Sequence, residues 1–244
     1  MKKYFAVSAL GLILFSLVSA PGISQDAKKL LDKVINASGG RKVMEAIKDT
    51  TFSGTMDLVQ MGINGTFTFY QKEPNLLRQE LEFMGMTITS AFDGETGWSV
   101  NPETGATEDL PKQAQEDLKN EALGFGNSSM LFPEKLGITF ADKGKEKVKG
   151  KEYLLLEMTF ESGDISLIYI DPGTYLPYMM KSMIIGQMGI DVEQESIMGN
   201  YKKIDGLNFA HSVIIYQDGE LFGSIVVDDV KFNTGLEDSF FKKK

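Results

Sequence analysis

The strongest constraint on the fold is a segment, residues 70–105, that reads as three successive β-strands joined by tight turns. Between positions 76 and 83 apolar and charged side chains mostly alternate, which is the period-two pattern of a strand with one buried face. Met84-Gly85 and Asp93-Gly94 follow as turns, because glycine and aspartate tolerate the positive φ that tight hairpins require. The segment therefore predicts a curved antiparallel sheet and not an active-site loop.

The rest of the chain also reads mostly as strands, about a dozen in all, with a few helices between them. Apolar residues at helical spacing predict a helix that starts at Asp26 and ends at Gly39. Pro111 suits the first position of a later helix, and Gly124 suits its end. We expect one mainly β (α+β) domain over residues 25–244, a strongly curved antiparallel sheet that forms an incomplete barrel capped by two or three helices.

The first two dozen residues have the composition of an export signal. Two lysines follow Met1, and an apolar run from Tyr4 to Val18 comes next, as in a cleavable secretory signal. We expect residues 1–24 to be a signal peptide that is removed, with the mature chain beginning near Gln25.

The absence of cysteine and the acidic charge exclude several classes of protein. With no cysteine in 244 residues, disulfides, thiolate catalysis and cysteine-based metal sites are excluded. A lipid anchor at the mature N-terminus would need a cysteine, so we expect a protein that is not itself lipidated. The formal net charge of −9 disfavours nucleic acid and anionic membrane surfaces as direct partners.

The opening segment contains three motifs in order: Lys-x-Pro-Asn-Leu from Lys72, Asp-Gly-x-Thr-x-Trp from Asp93, and Asn101-Pro102. Their order and spacing resemble the periplasmic carriers of outer-membrane lipoproteins, the LolA/LolB-like family. The resemblance implies a half-barrel with an apolar cavity, and the missing cysteine points to the soluble carrier and not to the anchored receptor. Those carriers often place a basic residue directly before the proline, whereas this chain has Glu73, which puts a closing mechanism based on that cation in question.

The resemblance also implies a function and partners. The expected function is that of a monomeric, non-enzymatic carrier or chaperone in the periplasm that shields lipoprotein acyl chains or a similar lipid during outer-membrane sorting. Inner- and outer-membrane lipoprotein-sorting proteins are its implied partners. A non-catalytic envelope sensor, or an accessory module that binds a protein on the same scaffold, is the alternative.

Aromatic and methionine side chains on the predicted strands are the candidates for the cavity lining. Trp98, the single tryptophan, shares a strand face with Val100, and we expect it to point into the space that the sheet encloses. Thirteen methionines leave two interpretations open: they fill gaps in a core, or they let a cavity reshape around variable apolar ligands. The predicted lining residues are Phe67, Phe69, Leu81, Phe92, Trp98, Met158 and Phe160.

A glycine- and serine-rich segment, residues 124–133, precedes the later strands. In the lipoprotein carriers, helices in this region close over the mouth of the sheet. We therefore predict a flap here, and its apolar tip residues are Met130, Leu131 and Phe132.

Residues for catalysis or metal binding are sparse. His211 is the single histidine, which removes the usual general base and the usual metal cluster together. Asp191, Glu193 and Glu195 share one face of a predicted strand, where a calcium site is one interpretation and a solvated outer face is the favoured one. We expect no catalytic residue, no bound metal and no cofactor, and a hydrolase is the least favoured class.

Overall fold

The structure is a computed structural model that describes residues 23–186 and 190–243. The export signal predicted over residues 1–24 lies almost wholly outside this part of the chain. Four α-helices are described, two of them short: α1 (Gln25–Ser38), α2 (Arg41–Ala46), α3 (Lys112–Phe125) and α4 (Ser128–Leu131). The strands are β1 (Asp49–Leu58), β2 (Ile63–Lys72), β3 (Leu76–Phe83), β4 (Met86–Phe92), β5 (Gly97–Val100), β6 (Thr107–Asp109), β7 (Thr139–Val148), β8 (Lys151–Thr159), β9 (Ile165–Ile170), β10 (Pro177–Ile185), β11 (Asp191–Gly199), β12 (Lys202–Ile204), β13 (Leu207–Phe209), β14 (Ser212–Gln217) and β15 (Glu220–Phe232).

Thirteen of these strands form one antiparallel sheet in the order β6-β5-β4-β3-β2-β1-β15-β14-β11-β10-β9-β8-β7. β12 and β13 form a separate hairpin. The two edge strands of the large sheet, β6 and β7, do not pair with each other, so the sheet is not closed into a barrel. The predicted fold class, a mainly β incomplete barrel with a few helices, is confirmed.

The hairpins predicted in residues 70–105 are present. β3 and β4 are joined through Met84 and Gly85, whose φ angles of 51° and 76° are both positive, as a tight hairpin turn requires. The turn after β4 contains Gly94 at φ 97°, and the Asp93 carboxylate accepts hydrogen bonds from the backbone N–H groups of Glu95 and Thr96. The local turn chemistry of the sequence therefore determines this part of the sheet.

Helix α1 forms because its sequence supplies a cap at each end and one apolar stripe between them. The Ser24 hydroxyl accepts a hydrogen bond from the Ala27 N–H at 3.2 Å. Gly39, at φ 144°, ends the helix as predicted. The stripe packs against β7, β8 and β13, and its buried members are Ala27, Leu30, Leu31, Val34 and Ile35.

The chain between the two edge strands, residues 110–138, crosses the open side of the sheet and carries α3 and α4. We call it the crossover segment. Pro111 caps α3 and does not begin it, and the helix continues through the predicted stop at Gly124 to Phe125. Glycine opposes a helix by only about 1 kcal/mol, and the Phe125 ring packs against the rings of Phe52 and Phe69, which favours the longer helix.

Two apolar clusters lie on the sheet face that α1 and α3 cover, which we call the inner face. Phe209 and Phe232 contact both clusters and join them. The α3 cluster consists of Phe52, Met56, Phe67, Phe69, Leu77, Phe92, Leu118, Ala122, Val227 and Val230. The α1 cluster consists of Ala27, Leu30, Leu31, Val34, Ile35, Met44, Ile47, Leu123, Leu131, Ile138, Phe140, Leu156, Met158, Phe160, Ile170 and Leu207.

The last described residues run back across the other face of the sheet, the outer face. The buried Asp49 carboxylate fixes where this segment starts, because it accepts hydrogen bonds from the N–H and hydroxyl of Thr234 at 2.6 and 2.8 Å and from the N–H of Gly235 at 3.0 Å. Among the described helices, none combines the length and the apolarity that crossing a membrane would need.

Candidate functional site

The inner face is built by strand alternation. In β2, Phe67, Phe69 and Gln71 are buried while the residues between them are more exposed, so all three point to the same side. Phe69 pairs with Phe52 of β1 on one side and with Gln79 of β3 on the other. Across the strands, the aromatic residues Phe52 and Phe69 are therefore followed on the inner face by the polar residue Gln79.

Aromatic side chains form the centre of this face. The Phe52 and Phe69 rings are stacked with centroids 5.2 Å apart, and Phe209 lies 5.4 Å from Phe52. Phe125 comes from the end of α3 and lies 5.5 Å from both Phe52 and Phe69. Its side chain is 45% exposed, unlike the fully covered Phe67, so the aromatic centre reaches the surface where the crossover segment ends.

The structure divides the predicted lining residues between the two clusters. Phe67, Phe69 and Phe92 are buried in the α3 cluster, and Leu81 packs against it. Met158 and Phe160 are buried in the α1 cluster. These six residues lie on the inner face, beneath the helices.

The prediction that Trp98 points into the space enclosed by the sheet is wrong, because Trp98 lies on the outer face. Phe92 pairs with Gly97, whereas Trp98 pairs with Ala91, so the tryptophan points away from the α3 cluster. Its indole Nε1 donates a hydrogen bond of 2.8 Å to the backbone carbonyl of Phe241 in the C-terminal segment. Parity along a strand predicts which residues share a face, but a distant segment of the chain determines what covers that face.

The predicted flap tip packs partly into the core. Leu131 is buried in the α1 cluster, and Met130 packs against the same cluster. Phe132 is more exposed, and the Lys135 ammonium lies 4.9 Å from the centre of its ring. The three residues belong to the crossover segment, and its movement as a flap stays a prediction.

One side of the crossover segment is attached to strands β3 and β5. The Gly97 N–H donates to the Gln115 side-chain oxygen at 3.2 Å, and the Gln79 amide donates to the Glu121 carboxylate at 3.0 Å. A side chain at position 97 would crowd α3, since an added Cβ would lie 3.2 Å from Gln115 Cγ. The polar attachments therefore flank the buried apolar residues of α3.

The other side of α3 is attached to the turn between β8 and β9. The Asn120 amide donates to the Asp164 carboxylate at 2.8 Å and to the Ser162 hydroxyl at 3.3 Å, and Lys119 pairs with Glu161 at 3.5 Å. The helix thus links the two halves of the open sheet. A polar groove of about 470 Å³ follows this seam and is lined by Gln113, Glu116, Lys119, Glu161, Ser162 and Asp164.

Glu73 holds the junction between α3 and α4. Its carboxylate accepts hydrogen bonds from the Asn127 N–H at 2.7 Å and from the Ser128 N–H at 3.0 Å. The sequence interpretation treated Glu73 as a departure from a family pattern in which a cation precedes the proline. In the structure the glutamate itself connects the β2–β3 turn to the crossover segment, through backbone donors.

Burial raises the pKa of the Glu121 carboxyl from its ordinary value of 4.5 to about 7, the hydrogen bond from Gln79 lowers it, and the nearby charge of Asp117 raises it. The carboxyl lies where α3 meets β3. Its ionisation therefore acts directly on an attachment of the crossover segment.

The remaining candidates do not join the inner-face site. His211 is buried, and its Nδ1 donates to the Phe209 carbonyl at 3.0 Å. Lys181 on β10 pairs with Glu193 at 3.0 Å and Glu195 at 2.8 Å, so a cation of the chain itself lies beside the acidic strand face. Within residues 23–186 and 190–243, no group of three or more acidic or histidine side chains is arranged to hold a metal ion.

Sequence reasoning missed Phe52, Phe125 and Phe209 as members of the aromatic centre. Phe52 had a signal, because it occupies an inward position of β1 in the alternation. Phe125 had no such signal, since it follows Gly124, the predicted end of the helix. The arrangement places a long apolar surface under a helix that is held by separate polar contacts.

An open antiparallel sheet of this order, with a helical crossover between its edges, is a LolA-like fold, as the resemblance predicted. Solved structures that share it include a DUF1329 family protein from Desulfovibrio piger (TM-score 0.59, 16% identity, 90% of this chain and 98% of that one), a putative outer membrane lipoprotein-sorting protein domain from Vibrio parahaemolyticus (0.57, 16%, 88% and 97%) and a LolA superfamily protein from Nitrosomonas europaea (0.57, 15%, 89% and 97%). No protein-family model and no curated protein matches the sequence. At these identities the likeness establishes the fold.

Replacing Glu73 tests the attachment at the α3–α4 junction. In Glu73→Ala two backbone N–H groups lose their acceptor, so we expect amide hydrogen exchange at Asn127 and Ser128 to quicken by about tenfold. Glu73→Gln retains an acceptor oxygen and is the matched control, with a smaller increase. Equal exchange in Glu73→Ala and the wild type would show that the carboxylate does not hold the junction.

Glu121 makes stability depend on pH in a defined direction. Because its pKa is about 7 in the folded protein and 4.5 ordinarily, the folded protein holds the proton more tightly than the unfolded chain. The contribution of Glu121 to the free energy of unfolding is therefore complete below about pH 4.5 and is lost as the pH rises through about 7. We expect the free energy of unfolding of the wild type to fall, relative to Glu121→Gln, between about pH 5 and 8 in denaturant titrations. A constant difference between the two proteins over that range would contradict this assignment.

Proposed function

We propose that this protein is a carrier that binds the acyl chains of lipoproteins, or a similar lipid, between the inner face of its sheet and the crossover segment. The observation that carries the proposal is the contrast between the two kinds of contact at the inner face. The sheet presents an aromatic and aliphatic surface, while α3 is attached at its margins by a few polar contacts from Glu73, Gln79, Asn120 and Lys119.

The free energies of burial allow an acyl chain to replace α3 on the inner face. Leu118 and Leu123 are the buried leucines of α3, and exposing them would cost about 1.5–3 kcal/mol each. An acyl chain gains about 0.8 kcal/mol for each buried CH₂. Burial of about eight methylenes would offset the upper value for both leucines together, about 6 kcal/mol, and a lipoprotein acyl chain is longer than that.

The proposed location is the periplasm, reached through the N-terminal export signal, and the proposed state is a monomer that is not itself lipidated. Inner- and outer-membrane lipoprotein-sorting proteins are the proposed donor and acceptor of the cargo. The proposal is non-enzymatic, because binding and release of a lipid need no bond to break.

A second candidate is an envelope sensor or accessory module that binds a protein. The favouring observation is that much of the inner face is buried, with Phe67 and Phe92 only 2% and 3% exposed. On this interpretation both clusters are core, and a protein partner binds elsewhere. Co-purification of a stoichiometric protein, with no lipid in mass spectra, would favour the second candidate.

Uptake of a fluorescent acyl probe tests the carrier proposal. The wild type should bind the probe saturably, and Phe69→Leu should weaken binding by about two- to tenfold, because it removes the stacked ring at the centre of the inner face. Trp98→Phe is the matched control, since Trp98 lies on the outer face, and it should bind as the wild type does. Absence of saturable uptake by the wild type would refute the carrier proposal.

A further inference from the structure

Gln71 is a buried polar side chain whose donor lacks a partner. It is 1% exposed, and its Nε2 makes no hydrogen bond with any residue that the structure describes. It continues the inward row of Phe67 and Phe69 on β2. A buried amide donor without an acceptor costs free energy. An acceptor that binds when the crossover segment does not cover Gln71 would explain why this donor lies in an apolar surface.

The donor lies where the crossover segment closes on the sheet. A Cβ atom added to Gly126 would be 3.0 Å from Gln71 Nε2, 3.1 Å from the Pro74 carbonyl and 3.2 Å from Glu73 Oε2. Glycine at position 126 thus lets the backbone of the crossover segment lie directly over the amide and the carboxylate. When this segment lifts, both groups become accessible at the same end of the aromatic row.

The charges around this point are acidic. Glu73 lies beside Gln71, and Glu121 lies on α3 above the same face. The cations that neighbour Gln71 on β2 and β3 point to the outer face, where Lys72 donates to the Leu236 carbonyl and Arg78 to the Phe240 carbonyl. Arg41 of α2 donates to the Leu131 carbonyl, farther along the crossover segment. An anionic head group would therefore meet carboxylates here, whereas an uncharged carbonyl oxygen would meet only a donor.

We propose that Gln71 is the head-group contact of the acyl site: its Nε2 donates to an uncharged ester or amide carbonyl at the end of the chain, and Glu73 and Glu121 select against carboxylate and phosphate head groups. This inference rests on the proposed carrier function and narrows its ligand class. The aromatic row binds the chain, and Gln71 sets the position of its first carbonyl.

The test is a matched pair of probes, cis-parinaric acid and its methyl ester, which share a chain and differ in head-group charge at pH 8. Binding is followed by the fluorescence of the polyene. The wild type should favour the ester. Gln71→Met keeps the length of the side chain and removes the donor, so ester affinity should fall about three- to tenfold while acid affinity changes less. Glu73→Gln should shift the ratio of the two affinities toward the acid, and using the ratio cancels its effect on the crossover segment.

The outcomes separate the two proposals. If the wild type binds neither probe, the carrier function fails and this inference fails with it. If the wild type binds both probes equally and Gln71→Met changes neither affinity, the inference is overturned while the carrier function stands. Gln71→Leu provides a second donor-free variant should Gln71→Met unfold, and the Glu73→Gln ratio is independent of both.

Discussion

Burial of α3 against the inner face is the interaction on which the rest of the structure depends. The large sheet ends in two strands, β6 and β7, that do not pair, and the chain between them is the crossover segment. Leu118 and Ala122 pack into the α3 cluster, while Leu123 packs into the α1 cluster. One helix thereby covers the open side and joins both halves of the core. A closed barrel would have satisfied its edges through backbone hydrogen bonds, whereas this fold leaves the closure to side chains.

Closure by side chains leaves fewer contacts to break than a closed backbone ladder would. Backbone ladders are cooperative and numerous, but α3 is attached to the sheet by a few side-chain contacts at its margins. Glu73 makes two of the contacts that hold the crossover segment. Its carboxylate accepts hydrogen bonds from two backbone N–H groups of the crossover segment and thereby connects the β2–β3 turn to that segment.

Much of the sheet could be predicted from the sequence, because hairpin chemistry is local. The alternation through β3 and the turns at Gly85 and Gly94 depend on residues within reach of one another. The location of Trp98 does not depend on local residues alone. Its parity with Ala91 and Asp109 follows from register, but the residue that covers its indole, Phe241, lies more than a hundred residues later in the chain. The same reason hides Phe209 and Phe125, which reach the aromatic centre from other parts of the chain. Glu73 and Gln71 likewise meet Gly126 only through the tertiary fold, since a Cβ added to Gly126 would lie within 3.2 Å of both side chains.

The central claim is that the crossover segment moves away from the sheet when an acyl chain binds. Because the chain has no cysteine, thiols placed at Glu116 on α3 and at Asp229 on the central strand β15 can carry two spin labels without competition. Double electron–electron resonance then measures the separation of α3 from the sheet. The account predicts a longer distance population that grows with added acyl ligand and disappears when the ligand is removed. An unchanged distance under conditions where the ligand is bound would contradict it.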